Sequence, residues 1–156
     1  MDWIHLNVKS GFSFFKSSLS VRAIVDFAYK EKLNSISLCD ENNLYGAMEF
    51  YSACKQRGIK PLIGIEIQAQ TTKETRFPLL VFAKNNQGYR QLCYLTSIMQ
   101  PMSSYEPFAI QQLEKHQEDL IVILPSGRSQ LLHMSFEDQL AFLTTMTHTF
   151  SSFYLG

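Results

Sequence analysis

His5, Asn7 and Lys9 stand at alternate positions in HLNVKS, residues 5–10. On an extended strand, alternate side chains share a face. An imidazole, an amide and an ammonium would then point one way, and Leu6 and Val8 the other. A neutral imidazole can ligate a metal, an amide oxygen is a poorer donor, and a protonated lysine has no lone pair to give. The set reads as a metal site, the remains of one, or a solvated strand edge. Two carboxylates raise the same question. Glu66 lies in the apolar run KPLIGIEIQ, where a buried carboxylate needs a partner or a wet cleft. Asp40 closes the apolar run SISLCD and precedes Asn42 and Asn43, the composition of a turn and helix cap.

The elements that must place these residues alternate in type. Residues 3–8 read as a first strand. Val21, Ile24, Val25 and Ala28 follow i, i+3, i+4, i+7 spacing, with Ser20 as N-cap. SISLC (residues 35–39) is a second strand. Asn43 is placed to cap a helix bearing Leu44, Ala47, Met48 and Tyr51, and Gly58 to end it in a left-handed turn. KPLIGIEIQ and FPLLVFA are strands joined by the polar turn TTKETR, and their closeness allows an antiparallel or a crossover relation. NNQGYRQLCYLTSIM is a helix with Leu92, Leu95, Thr96 and Met99 on one side. PFAIQQLEKH is a short helix with Pro107 in its first turn. DLIVIL is a strand stopped by Pro125. Ser135 and Asp138 resemble a capping box for a helix bearing Leu140, Leu143 and Thr147. FYLG begins one more strand. This alternation predicts an α/β fold with a mostly parallel sheet, and the final half-strand suggests a chain cut inside its fold.

Composition narrows the class. With 46% hydrophobic and 18% charged residues, the 156-residue chain suits one folded domain rather than disorder. A formal net charge of zero gives no long-range field to draw DNA, which argues against strong DNA binding by this chain alone. No apolar run reaches membrane-span length, and no signal-peptide pattern opens the chain. Cys39, Cys54 and Cys93 match no zinc or disulfide framework; Cys39 and Cys54 read as small buried thiols in a reduced, cytosolic setting.

Several segments together resemble one family. HLNVKSGFSFF is similar to HLHVHSxYS. SISLCDENNLYGAMEFYSACKQRGIKPLIGIEI is similar to a strand ending in TDHGN followed by L-x-G-x-x-x-F-Y-x-A-C-K-x-x-G-I-K-P-I-x-G-x-E. LLVFAKNNQGYRQLCYLTS is similar to LLAKNxxGYxNLxxLxS. These segments resemble the PHP (polymerase and histidinol phosphatase) domain at the N-terminus of bacterial DNA polymerase III alpha subunits. The resemblance runs nearly end to end. It implies the N-terminal part of a (β/α)7 distorted TIM-like barrel, so that residues 1–156 form one partial domain.

The resemblance also implies where chemistry would sit. Active PHP domains hold up to three divalent metals on His, Asp and Glu for phosphoester hydrolysis, the metals polarising phosphoryl oxygens and supplying hydroxide. Carried over position by position, His5, Asp40 and Glu66 remain. Asn7 and Lys9 replace the second and third histidines of HLHVHS, Glu41 replaces the His of TDHGN with Asn42 at its Gly, and Pro78 falls where a His starts the fourth strand. LPSGRS, residues 124–129, stands where a Cys or His is expected. The implied site is a remnant, with zinc or manganese held weakly if at all and no cofactor of its own. The charge of Lys9 at a former ligand position suggests an ammonium standing in for lost metal charge, paired with Asp40 or Glu66.

Other residues read plainly. His116, His133 and His148 fall near helix ends or surfaces. Phe12 and Phe14 alternate with Ser13, as rings packed under a loop do, with Phe15 beside them. Lys55, Arg57 and Lys60 form a small basic cluster at a helix end. Ser126, Gly127 and Arg128 follow a strand as a phosphate-binding turn would, a weak signal.

The function implied by the resemblance is a non-catalytic structural and interaction module of a cytoplasmic replicative DNA polymerase. That parent would use magnesium elsewhere for nucleotidyl transfer, and DNA would be met through it. Implied partners are the rest of the alpha subunit, an exonuclease or other replisome proteins. The rival readings are a metal-dependent phosphoesterase or 3'-5' proofreading nuclease on a reduced ligand set, and a stand-alone histidinol-phosphatase-like enzyme.

Overall fold

The computed structural model describes residues 4–70, 76–99, 108–125, 127 and 134–156. It is a mixed α/β structure with a mostly parallel sheet. The chain divides into two compact units, Met1–Ile65 and Glu66–Gly156.

The first unit holds α1 (Val21–Lys30), β1 (Ser35–Glu41), α2 (Ala47–Gln56) and the start of β2 (Lys60–Gln70). The Ser20 side chain accepts the Ala23 N–H, and α1 buries Val21, Ile24, Val25 and Ala28, the face its spacing predicts. Those residues meet Ile36, Leu38, Phe50, Cys54 and Ile59 in one core, with Val8 packed at its margin. Gly58, at φ +69°, turns the chain out of α2 as expected. The start of α2 departs from expectation. Asn43 Oδ1 accepts the Tyr45 N–H at 3.1 Å in a turn, and the helix begins later, with Gly46 at its N-cap. A Cβ on Gly46 would lie 3.0 Å from the Val21 side chain, 3.1 Å from that of Phe12 and 3.2 Å from that of Leu38, so a larger residue there would press these side chains aside by a few tenths of an ångström.

The expected first strand is also different. Residues 4–10 form no strand. Discrete bonds tie them to β1 instead. The Cys39 N–H donates to the Val8 carbonyl at 2.7 Å, and the Ser37 hydroxyl lies 2.7 Å from the His5 carbonyl and 2.5 Å from that of Leu6. Ser37 spends its hydroxyl on the neighbouring backbone where a ladder would use N–H and C=O groups.

The second unit carries the rest of β2, then β3 (Arg76–Ala83), α3 (Asn86–Met99), β4 (Phe108–Ala109), α4 (Ile110–Lys115), β5 (Leu120–Leu124), α5 (Phe136–Thr149) and β6 (Phe153–Leu155). Its strand order is β2-β3-β5-β6, with β4 parallel on β2. β5 runs antiparallel to β3 and parallel to β6. The short helix expected over residues 107–116 starts only at Ile110, because Phe108 and Ala109 pair with Ala69 and Gln70. Pro107 and residues 71–75 of the expected polar turn lie outside the described residues. In α3, Leu92, Leu95, Thr96 and Met99 are buried as predicted. In α5 the inward residues are Phe142, Leu143 and Met146, while Leu140 and Thr147 face solvent. Ser135 caps α5 by accepting the Asp138 N–H at 3.2 Å, as the capping-box pattern predicts. Gly88 starts α3 against the neighbouring loop; a Cβ there would lie 2.2 Å from the Asp119 carbonyl oxygen.

Candidate functional site

The first unit places HLNVKS and the end of β1 together, and Asp40 is the centre of that arrangement. Its side chain is 1% exposed. Oδ1 accepts the Ser10 N–H at 2.7 Å and the Ser13 hydroxyl at 2.6 Å; Oδ2 accepts the Ser10 hydroxyl at 2.7 Å. A carboxylate offers about four acceptor positions, so these three donors leave roughly one. The hydroxyls are themselves used as acceptors. Ser10 Oγ takes the Phe12 N–H at 3.2 Å, and Ser13 Oγ takes the Glu41 N–H at 3.0 Å. Asn43 Nδ2 donates to the carbonyls of Phe12 and Glu41, drawing the same turn towards the β1 end.

Of the other positions of the motif, His5, Asn7, Lys9 and Glu41 lie in the first unit and Glu66 and Pro78 in the second. His5 is exposed, with its ring edge-on to Phe27 at 6.3 Å between centroids. Asn7 Oδ1 is buried and accepts no hydrogen bond among the described residues. Lys9 Nζ is 3.4 Å from the Cys39 carbonyl oxygen. The donors to the Asp40 side chain are Ser10 and Ser13, while Lys9, expected to pair with Asp40 or Glu66, has its ammonium against the Cys39 carbonyl. Glu41 presents its backbone to Ser13 and Asn43. Glu66 is 4% exposed within β2, and Pro78 is buried near the start of β3, outside the rungs that β3 shares with β5.

These donors do not fit a multi-metal hydrolytic centre. Among the described residues, no three His, Cys, Asp or Glu side chains stand close enough to hold a metal ion. The Asp40 carboxylate has most of its lone pairs occupied, and the Asn7 amide oxygen is a single neutral donor. The second and third histidine positions of the motif carry an amide and an ammonium.

Ser10, Ser13 and Ser37 were given no role by sequence reasoning, yet they organise the site. A signal was available: Ser-x-x-Ser directly after the motif run, opposite a strand-end Asp. The aromatics of the turn also depart from expectation. Phe14 is 72% exposed and Phe15 fully exposed, so they are not packed beneath the loop; Phe12 lies edge-on to Tyr45. The basic cluster at the end of α2 is engaged as well. Arg57 bonds to Asp26 at 2.5 Å and covers the Tyr29 ring, and Lys55 lies over Tyr51. His116 rests on Tyr94 and shares a hydrogen bond with Gln91. Cys39 and Cys54 are buried, as expected. His133, Ser126 and Arg128 lie outside the described residues. No helix among the described residues is long and apolar enough to cross a membrane.

Comparison with known proteins adds the family. The PHP domain profile matches residues 5–152. DNA polymerase III subunit alpha of Halalkalibacterium halodurans is 31% identical over 126 residues, 80% of this chain and 11% of that protein. The Bacillus subtilis protein of the same name is 34% identical over 135 residues, 84% of this chain and 12% of its own length. The chain thus spans about a ninth of the length of these relatives. Among solved structures, an amidohydrolase of Chromobacterium violaceum with bound sulfate and no metal has a TM-score of 0.72 at 11% identity, covering 97% of this chain and 75% of that one. A Bifidobacterium adolescentis protein proposed to be a metal-dependent phosphoesterase has a TM-score of 0.66 at 13% identity, covering 97% and 76%. At these identities the two structures establish the fold.

Proposed function

We propose, from the premise that this chain belongs to the PHP domain family, that it is a non-catalytic PHP domain serving a replicative DNA polymerase alpha subunit as a structural and interaction module. The observation that carries this reading is the state of Asp40: a buried carboxylate at the motif centre whose oxygens are taken by serine donors. Substitution of three histidine positions by Asn7, Lys9 and Glu41 points the same way. His5, Asp40 and Glu66 are then the remnant of a ligand set, without bound zinc or manganese. The polymerase context is supported by the two alpha-subunit relatives. On that reading the parent is a cytoplasmic nucleotidyltransferase that uses magnesium in another domain, and this domain packs against the rest of the subunit. An exonuclease or other replisome protein is a further contact in the same picture.

The rival, a phosphoesterase or proofreading nuclease on the reduced ligand set, draws on the fold neighbour proposed to be a phosphoesterase. Calorimetric titration with zinc and with manganese separates the two. Failure to saturate at micromolar metal is expected. Stoichiometric binding that Asp40→Ala abolishes, accompanied by hydrolysis of a phosphomonoester or single-stranded DNA, would overturn the non-catalytic reading. The polymerase context has its own test: coding sequence continuous with this chain should specify the carboxylates of a polymerase active site.

A further inference from the structure

We infer that Asp40 is a positioning residue, a hydrogen-bonding clamp that holds residues 10–17 in one conformation without metal. The inference goes beyond the reading above, because it assigns Asp40 a present task rather than a lost one. Residues 10–17 contain no regular element longer than a turn. Their internal bonds are Ser13 N–H to the Ser10 carbonyl at 3.0 Å, Lys16 N–H to Ser13 at 3.0 Å and Ser17 N–H to Ser13 at 3.3 Å. Within them Phe15 sits at φ +60° with its ring fully exposed. That backbone region is unfavourable for a residue with a Cβ, and nothing packs on the Phe15 ring to recover the cost. The conformation must therefore be imposed from elsewhere.

Asp40 supplies the constraint. Each of its oxygens receives a hydroxyl, and Oδ1 also receives a backbone N–H; all three donors come from Ser10 and Ser13, the two ends of the first turn. The distances of 2.6–2.7 Å are those of hydrogen bonds to a charged acceptor. Each hydroxyl has one proton, and both donate it to Asp40. Their lone pairs are then free to receive Phe12 N–H and Glu41 N–H, which closes the network. Gly11 N–H reaches the Leu19 carbonyl at 2.8 Å and anchors the far end. A metal bound through both oxygens of Asp40 would have to displace serine donors and loosen the turn. Bidentate metal ligation and clamping are alternatives at this carboxylate.

Limited chymotrypsin digestion of the full chain in EDTA, followed by mass spectrometry, tests the assignment. Cleavage after Phe14 and Phe15 reports opening of the turn, and cleavage after Tyr94, exposed on α3, reports the rest of the molecule. In Asp40→Asn and in Ser10→Ala, cleavage after Phe14 and Phe15 should accelerate at least about tenfold, with Tyr94 unchanged. Added zinc or manganese should leave the wild-type rate as it was. An unchanged rate in both variants would overturn the clamp. So would equal acceleration at Tyr94, which would make the network part of the general core. Protection of the wild-type turn by metal, lost in Asp40→Asn, would make Asp40 a ligand. Metal binding in calorimetry accompanied by phosphoester hydrolysis, with no effect on digestion, would defeat the non-catalytic reading and leave the clamp standing.

Discussion

Replacing Ser13 by alanine should destabilise the chain by about 2–4 kcal/mol, and the size follows from two bonds. The Ser13 hydroxyl donates to Asp40 Oδ1 at 2.6 Å within a buried network, a bond to a charged acceptor worth about 1.5–3 kcal/mol. Its oxygen also accepts the Glu41 N–H at 3.0 Å, a neutral bond worth about 0.5–1.5 kcal/mol. Asp40 keeps two donors, both from Ser10, so the carboxylate is not stranded and the chain should still fold. For a chain of this size each kcal/mol lowers the melting temperature by about 2–4 °C, so a fall of about 6–12 °C is expected for a loss near 3 kcal/mol. Circular dichroism during thermal and urea unfolding, in EDTA, gives the number. Ser17→Ala is the control. Its hydroxyl oxygen accepts only the exposed Leu19 N–H at 3.2 Å, so its effect should stay within about 0.5 kcal/mol. A Ser13→Ala loss below about 0.5 kcal/mol would refute the weight placed on this network. A loss restored by zinc would refute its independence from metal.

Three further outcomes are expected. Gly88→Ala forces a methyl to within 2.2 Å of the Asp119 carbonyl oxygen, so the start of α3 must move; a loss of at least about 1–3 kcal/mol by urea unfolding is expected, and a neutral result would show that loop to be soft. Burial pushes the Cys54 thiol from 9.0 up to about 11, so the folded state keeps its proton to higher pH than the unfolded state does. That contribution to stability is complete below about pH 9 and is lost as pH rises through about 11, so the fall in urea midpoint over this window should be shallower in Cys54→Ala. Third, Asn7→His, Lys9→His and Glu41→His combined should raise zinc affinity at least about tenfold over wild type in calorimetry; no gain would mean that the surviving positions are no longer arranged as a ligand set.

The buried faces of α1 and α3 were legible from apolar spacing. Ser20 with Val21, Ile24, Val25 and Ala28 fixed α1, and Leu92, Leu95, Thr96 and Met99 fixed the buried side of α3. The failures share a cause: pairing to a distant segment overrode local pattern. Phe108 and Ala109 look like the first turn of a helix, but hydrogen bonds to β2 hold them extended. Leu140 looks like a core residue of α5, but the face that packs is set by Phe142 and Met146, with Phe142 edge-on to Phe77 at 4.9 Å. At the candidate site, the motif positions could be read, but their partners could not. Ser10 and Ser13 are short, uncharged and common, and only the turn of residues 10–13 brings both onto one carboxylate.

Residues 4–10 keep the alternation of a strand without being one, and that difference bears on function. A ladder would fix them through their own N–H groups. Here β1 reaches across instead, through the Ser37 hydroxyl to His5 and Leu6, the Cys39 N–H to Val8, and the Asp40 carboxylate to Ser10 and Ser13. Position by position, β1 supplies the fixing group for the segment where the motif carried its histidines. Lys9 fits the same logic: its ammonium reaches the Cys39 carbonyl, the same residue whose N–H holds Val8. A metal centre would make these residues rigid through its ligand bonds. Hydrogen bonds to β1 hold the segment here, and on the proposed non-catalytic reading they are what keeps its geometry without a metal.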